Sequence, residues 1–123
     1  RHVVKVLIAD DSAIMRGILL SHLACIAGLE IVGEAQNGLE AIERIDRLKP
    51  DVVIVDMRMP GASGLTVLRH VKQSLPATRI IIWTNEPSEP YRQECLVAGA
   101  DSFLDKSSDL ERVSELLRRW MQA

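Results

Sequence analysis

Lys49-Pro50-Asp51-Val52-Val53-Ile54-Val55-Asp56 is the stretch that decides how this chain folds. Lys49-Pro50-Asp51 is a turn, and the four residues after it are apolar without alternation, the pattern of a parallel strand covered on both faces. A strand buried on both sides is central in its sheet. It ends on a carboxylate, Asp56.

The same grammar repeats on either side. Val3 to Ala9 is an apolar strand that ends at Asp10-Asp11, and Arg79 to Trp83 is a largely apolar strand that ends at Thr84. Asp101 to Asp105 is a fifth strand followed by Lys106. Leu29 to Ala35 carries Glu30, Gly33 and Glu34, a weaker pattern that fits a sheet edge.

Helical periodicity fills the gaps. Ser12 can cap a helix whose apolar positions Met15, Leu19, Leu23 and Ile26 run to Gly28. Asn37-Gly38-Leu39-Glu40 resembles a capping box, with Ile42, Ile45 and Leu48 as the buried stripe. The loop Met57 to Gly64 leads into a helix with Leu65, Leu68, Val71 and Leu75 on one face. The irregular segment Asn85 to Pro90 opens a short helix that Gly99 closes. Ser108-Asp109-Leu110-Glu111 reads as a second capping box, and Leu110, Val113, Leu117 and Trp120 then pack inward.

Strict alternation of strands and helices predicts a three-layer, doubly wound (βα)5 α/β fold with a five-stranded parallel sheet, because parallel strands need right-handed crossovers. One domain spanning residues 1–123 fits the length of 123 residues. Such a sheet binds ligands outside the carboxyl ends of its strands. Those ends carry Asp10, Asp11, Asp56, Thr84 and Lys106. Two adjacent carboxylates at the end of a buried strand are costly unless a cation sits beside them.

With 47% hydrophobic and 26% charged residues the chain has a globular composition, and 3% aromatics imply an aliphatic core. A net charge of −2 argues against general nucleic-acid or membrane binding. No apolar run approaches the ~20 residues that span a bilayer, and Arg1-His2 does not open a signal peptide. Cys25 and Cys95 sit in apolar stretches, as buried thiols of a reducing cytoplasm would. His2, His22 and His70 lack ligand-like spacing. Trp83 and Trp120 read as packing residues, with Trp83 close to the strand-end cluster, and Arg112, Arg118 and Arg119 as the solvated face of the last helix.

Taken together, the acidic pair after strand one, Asp56 followed by Met57-Arg58-Met59-Pro60-Gly61, Thr84 after strand four and Lys106 after strand five resemble the receiver domain of two-component response regulators. The resemblance covers the whole chain and implies strand order 2-1-3-4-5. Strands one and three are then neighbours, ~4.8 Å apart, so Asp11 and Asp56 can share one hard cation. By resemblance that ion is Mg²⁺, bound by Asp11, Asp56 and the backbone carbonyl of Arg58, with Asp10 acting through water.

The resemblance also implies that Asp56 is a nucleophile taking a phosphoryl group from a phosphohistidine on a sensor histidine kinase or histidine phosphotransfer protein. Lys106, two strands or ~10 Å away, would reach across to neutralise charge. Thr84 would turn toward the phosphoryl group and Phe103 would rotate into the vacated space. That movement would reshape the surface of the fourth helix, fifth strand and fifth helix, for an output partner, a covalent output domain or a phosphorylation-dependent homodimer. Arg58, Asn85 and Glu86 would line the approach to the phosphoryl group and alter its lifetime.

Two departures stand out. Ser107 follows Lys106 where the family has proline, which removes the usual reason for a cis peptide. Asn85 and Glu86 replace the small residue common after the switch threonine. Other classes fit less well. A haloacid-dehalogenase-type phosphatase wants an acid where Arg58 stands, a flavodoxin-like cofactor binder would be repelled by Asp10-Asp11, and a receiver-like module working without phosphate has no need of the full acidic set.

Overall fold

A computed structural model describes residues 3–122. In chain order these form β1 (Val4–Ala9), α1 (Ala13–Leu23), β2 (Leu29–Ala35), α2 (Gly38–Leu48), β3 (Val52–Asp56), α3 (Gly64–Ser74), β4 (Arg79–Thr84), α4 (Glu89–Val97), β5 (Ser102–Asp105) and α5 (Leu110–Met121). The strands are parallel in the order β2-β1-β3-β4-β5. All five residues of β3 are buried, which is why that strand is apolar without alternation.

Residues of each strand alternate between two cores. Val6, Ile8, Ile54, Ile81 and Trp83 pack with α1 and α5, while Leu7, Val53, Val55, Ile80 and Ile82 pack with α2, α3 and α4. The period-2 geometry of a strand sends neighbours to opposite faces, so an all-apolar run serves both layers at once. β2 lies at the edge, where a bulge opposite Val6 and Leu7 leaves Val32 out of register.

Several local expectations are corrected. α1 ends at Leu23, so Ile26 packs from the turn that follows. Asp109, not Ser108, is the N-cap of α5, and its Oδ2 accepts the N–H of Asp105 at 2.8 Å rather than a first-turn amide. The tight turn after β5 competes for that carboxylate. Leu110 and Trp120 are half-buried; Trp120 lies under the Arg79 guanidinium, 4.9 Å from its ring centroid. Cys95 is buried, but Cys25 is exposed beyond the end of α1.

His70 Nε2 lies 2.8 Å from Asp46 and ties α3 to α2, whereas His22 approaches Glu111 at 4.0 Å; His2 lies outside the described residues. Arg112, Arg118 and Arg119 are exposed, as expected of a solvated helix face, and the peptide after Lys106 is trans. Among the described residues no helix is long and apolar enough to cross a membrane.

Candidate functional site: an acidic pocket at the strand ends

Asp10, the first residue after β1, is fully buried. Its backbone N–H donates to Ala35 O at 3.0 Å, and its Oδ1 accepts the N–H of Ser12 at 2.9 Å. Its Oδ2 pairs with the Lys106 ammonium at 2.5 Å. Asp11, the next residue, is exposed at the rim. Asp56 closes β3, with Oδ1 accepting the Arg58 N–H at 3.3 Å and Oδ2 accepting from Lys106 Nζ at 3.2 Å. One oxygen from each of Asp10, Asp11 and Asp56 can be chosen so that all three lie within 4.8 Å of one another.

Burial pushes the Asp56 carboxyl up to about 6. The Lys106 ammonium pulls it back down and the charge of Asp10 raises it further. Asp56 is therefore largely ionised at neutral pH. Three acidic side chains then gather around one ammonium, an all-oxygen donor set with more acids than bases. These are the requirements of a hard divalent cation, and the residues present fit Mg²⁺.

The loop after Asp56 is held by close backbone approach. Gly64 N donates to Met57 O at 2.8 Å, and a Cβ at Gly64 would stand 2.4 Å from Asp56 O. On the other side Gly38, the first residue of α2, donates its N–H to Pro60 O at 2.9 Å, where a Cβ would stand 2.1 Å from Ala62 O. Only glycine allows both contacts.

Thr84, at the end of β4, is buried, and its Oγ1 accepts the N–H of Glu86 at 3.0 Å. Asn85 and Glu86 are exposed on the loop beyond it. Phe103 is 6% exposed and packs into the core on the α2–α4 side of the sheet, and it lines a surface pocket with Pro87, Arg92 and Asp105. Arg58 reaches across the mouth: its Nε lies 2.5 Å from Glu86 Oε1, and its Nη2 donates to Tyr91 Oη at 2.9 Å. An open groove of about 620 Å³ runs from Asp11, at the rim of the pocket, past Arg58 and Met59 to Tyr91.

Two neighbours of the site carry no signal of their own in the sequence. Tyr91 follows Pro90 at a helix start and belongs to no motif. Arg16, whose Nη1 donates to Asp10 O at 2.6 Å, reads as one more charged residue on an amphipathic helix. The one hint of Arg16 is its place in the first turn of the helix that follows the acidic pair.

The family model "Response regulator receiver domain" matches residues 6–118. Response regulator GacA of Pseudomonas syringae is 35% identical over 115 residues, covering 94% of this chain and 54% of GacA. The chain thus spans about half the length of that relative. Chemotaxis protein CheY of Thermotoga maritima is 36% identical over 115 residues, covering 94% of this chain and 95% of CheY. The signal receiver domain of NarL from Mycobacterium tuberculosis superposes with a TM-score of 0.91 at 28% identity, covering 100% of this chain and 99% of that one. Strand order, acidic pocket and these likenesses agree, and the chain belongs to the receiver domain family of two-component response regulators.

Proposed function

We propose that this chain, acting as a single receiver unit, accepts a phosphoryl group on Asp56 from a phosphohistidine of a sensor kinase or phosphotransfer protein. The observation that carries the reading is the convergence on Asp56 of Asp10, Asp11 and the Lys106 ammonium. Asp11, Asp56 and the Arg58 carbonyl would hold Mg²⁺ directly, and Asp10 through water. When bound, Mg²⁺ neutralises charge on the phosphoryl oxygens.

The remaining work falls to the chain's own groups. The ionised Asp56 carboxylate forms the new O–P bond as the donor's P–N bond breaks, and the departing imidazole nitrogen keeps the electron pair and takes a proton. Lys106, already hydrogen-bonded to Asp56, offsets the charge that arrives with the phosphoryl group. Thr84 must give up the Glu86 N–H to turn toward a phosphoryl oxygen, exchanging a bond worth ~1 kcal/mol for a charge-assisted one. Phe103 then follows into the vacated space.

The surface of α4, β5 and α5 is the proposed output face, for a separate partner, a covalent output domain or a second phosphorylated copy. Arg58, Asn85 and Glu86 govern how water reaches the aspartyl phosphate.

Incubation with Mg²⁺ and acetyl phosphate tests the reading by intact mass. One added phosphoryl group mapped to Asp56 is expected. No adduct on the wild type, or an undiminished adduct on Asp56→Asn, refutes it.

A further inference from the structure

Arg16 sits on the first turns of α1 and points back under the acidic pocket. Its side chain is 17% exposed, low for an arginine that touches no substrate. Nη1 donates to Asp10 O at 2.6 Å, and Nε donates to Glu34 Oε1 on β2 at 3.0 Å. Glu34 is itself braced, because its main-chain carbonyl accepts from Arg44 of α2, which also donates to Glu40 at 2.9 Å. The guanidinium is therefore a fixed fork between two elements rather than a solvated charge.

We infer that Arg16 is a positioning residue for the acidic pocket, fixing the peptide that joins Asp10 to Asp11 so that both carboxylates are placed for a divalent cation. The inference rests on the metal reading above. Asp10 is clamped at its N–H by Ala35, at Oδ1 by Ser12 and at its carbonyl by Arg16, which leaves Oδ2 alone to face the pocket. The Asp10 carbonyl belongs to the planar unit that carries the Asp11 N–H, so its direction sets how Asp11 leaves the strand. With that carbonyl released, the peptide can rotate and move the exposed Asp11 carboxylate while Asp56 and Lys106 stay in place.

Charge and geometry make opposite demands here. A guanidinium beside the pocket repels a cation, so on electrostatics alone its removal would tighten Mg²⁺ binding. As a positioning group, its removal weakens binding. The sign of the change separates the two roles.

The test is calorimetric titration of Mg²⁺ into wild type, Arg16→Met, Arg16→Lys and Glu34→Gln, with urea midpoints and acetyl phosphate labelling rates over a range of Mg²⁺. We expect Arg16→Met to weaken Mg²⁺ by about ten-fold, with the Mg²⁺ needed for half-maximal labelling raised in step and the rate at saturating Mg²⁺ retained. Arg16→Lys, which keeps an N–H donor for the Asp10 carbonyl but not the fork, should recover part of the loss despite its charge, and Glu34→Gln should lose less than Arg16→Met. If Arg16→Met does not fold, Arg16→Lys carries the test, with weakened binding supporting the role and wild-type affinity overturning it. Unchanged or tighter Mg²⁺ binding in a folded Arg16→Met overturns the inference while leaving the metal reading intact. A wild type that binds no Mg²⁺ overturns both.

Discussion

Lys106 Nζ donates to Asp56 Oδ2 at 3.2 Å although the two residues end strands that are separated by β4. The ammonium is 3% exposed and also meets Asp10 at 2.5 Å, so one buried cation offsets two buried acids. Removing one partner from such a cluster leaves uncompensated charge, which costs far more than the intact cluster gains. In Mg²⁺-free buffer at pH 7.5, Lys106→Met should lose about 3 kcal/mol of stability, and part of that should return on acidification as Asp56 takes up a proton. Urea denaturation at pH 7.5 and pH 5 measures both. An unaltered midpoint at pH 7.5 would contradict this account of the pocket.

Asp56 itself should weaken the metal-free fold as pH rises. Its folded pKa, about 6, is above the ordinary 3.8, so the folded state prefers the neutral acid. The stability this gives is fully present below pH 3.8 and is lost as pH rises through 6. Asp56→Asn lacks the titration, so its stability relative to wild type should climb between pH 4 and pH 7. The climb is at most about 3 kcal/mol, because a tenfold difference in proton affinity between folded and unfolded chains is worth ~1.4 kcal/mol. Urea midpoints of the two proteins across that range provide the check, and a constant difference would count against the raised pKa.

Glycine substitutions should split by environment. At Gly64 a Cβ would collide with Asp56 O, and Gly64→Ala should cost about 2 kcal/mol and displace the loop that carries Arg58. At Gly17, inside α1, a Cβ meets nothing within 4 Å, and Gly17→Ala should stabilise by up to about 1 kcal/mol. Thermal melts rank the pair.

Arg58 bridges Glu86 and Tyr91 across the mouth of the pocket, and both it and Glu86 are more than half exposed. An exposed ion pair contributes little to folding, so Arg58→Ala and Glu86→Ala should melt near wild type. Their aspartyl phosphates should nevertheless be shorter-lived, because the strap over the attacking path of water is gone. Radiolabel decay gives the half-lives. Half-lives equal to wild type in Arg58→Ala, Glu86→Ala and Asn85→Ala would remove these residues from any gating role.

The fold and most of the pocket are legible in the sequence because their signals are local. The unbroken apolar run Val52–Val55 marks a strand buried on both faces, and a charged or hydroxyl-bearing residue at or just past the end of every strand but β2 announces the shared edge. The details that differ are places where a distant or competing group intervenes. Asp109 caps the turn after β5 instead of acting in a capping box with Ser108, and Cys25 falls outside α1 because the helix stops at Leu23. Tyr91 and Arg16 enter the site through partners 33 and 6 residues away, pairings that no periodicity encodes.

The sequence by itself determined that this chain is an α/β domain with carboxylates, a hydroxyl and an amine gathered at the carboxyl ends of its strands, since alternation and strand termini are properties of neighbouring residues. Tertiary structure alone decided what adjacent residues became. Asp10 is fully buried and clamped on three sides, while Asp11 stands exposed at the rim. Burial and hydrogen bonding are set by which elements pack over a residue, and here the placement of α1, β2 and Lys106 around the end of β1 made two identical side chains physically different.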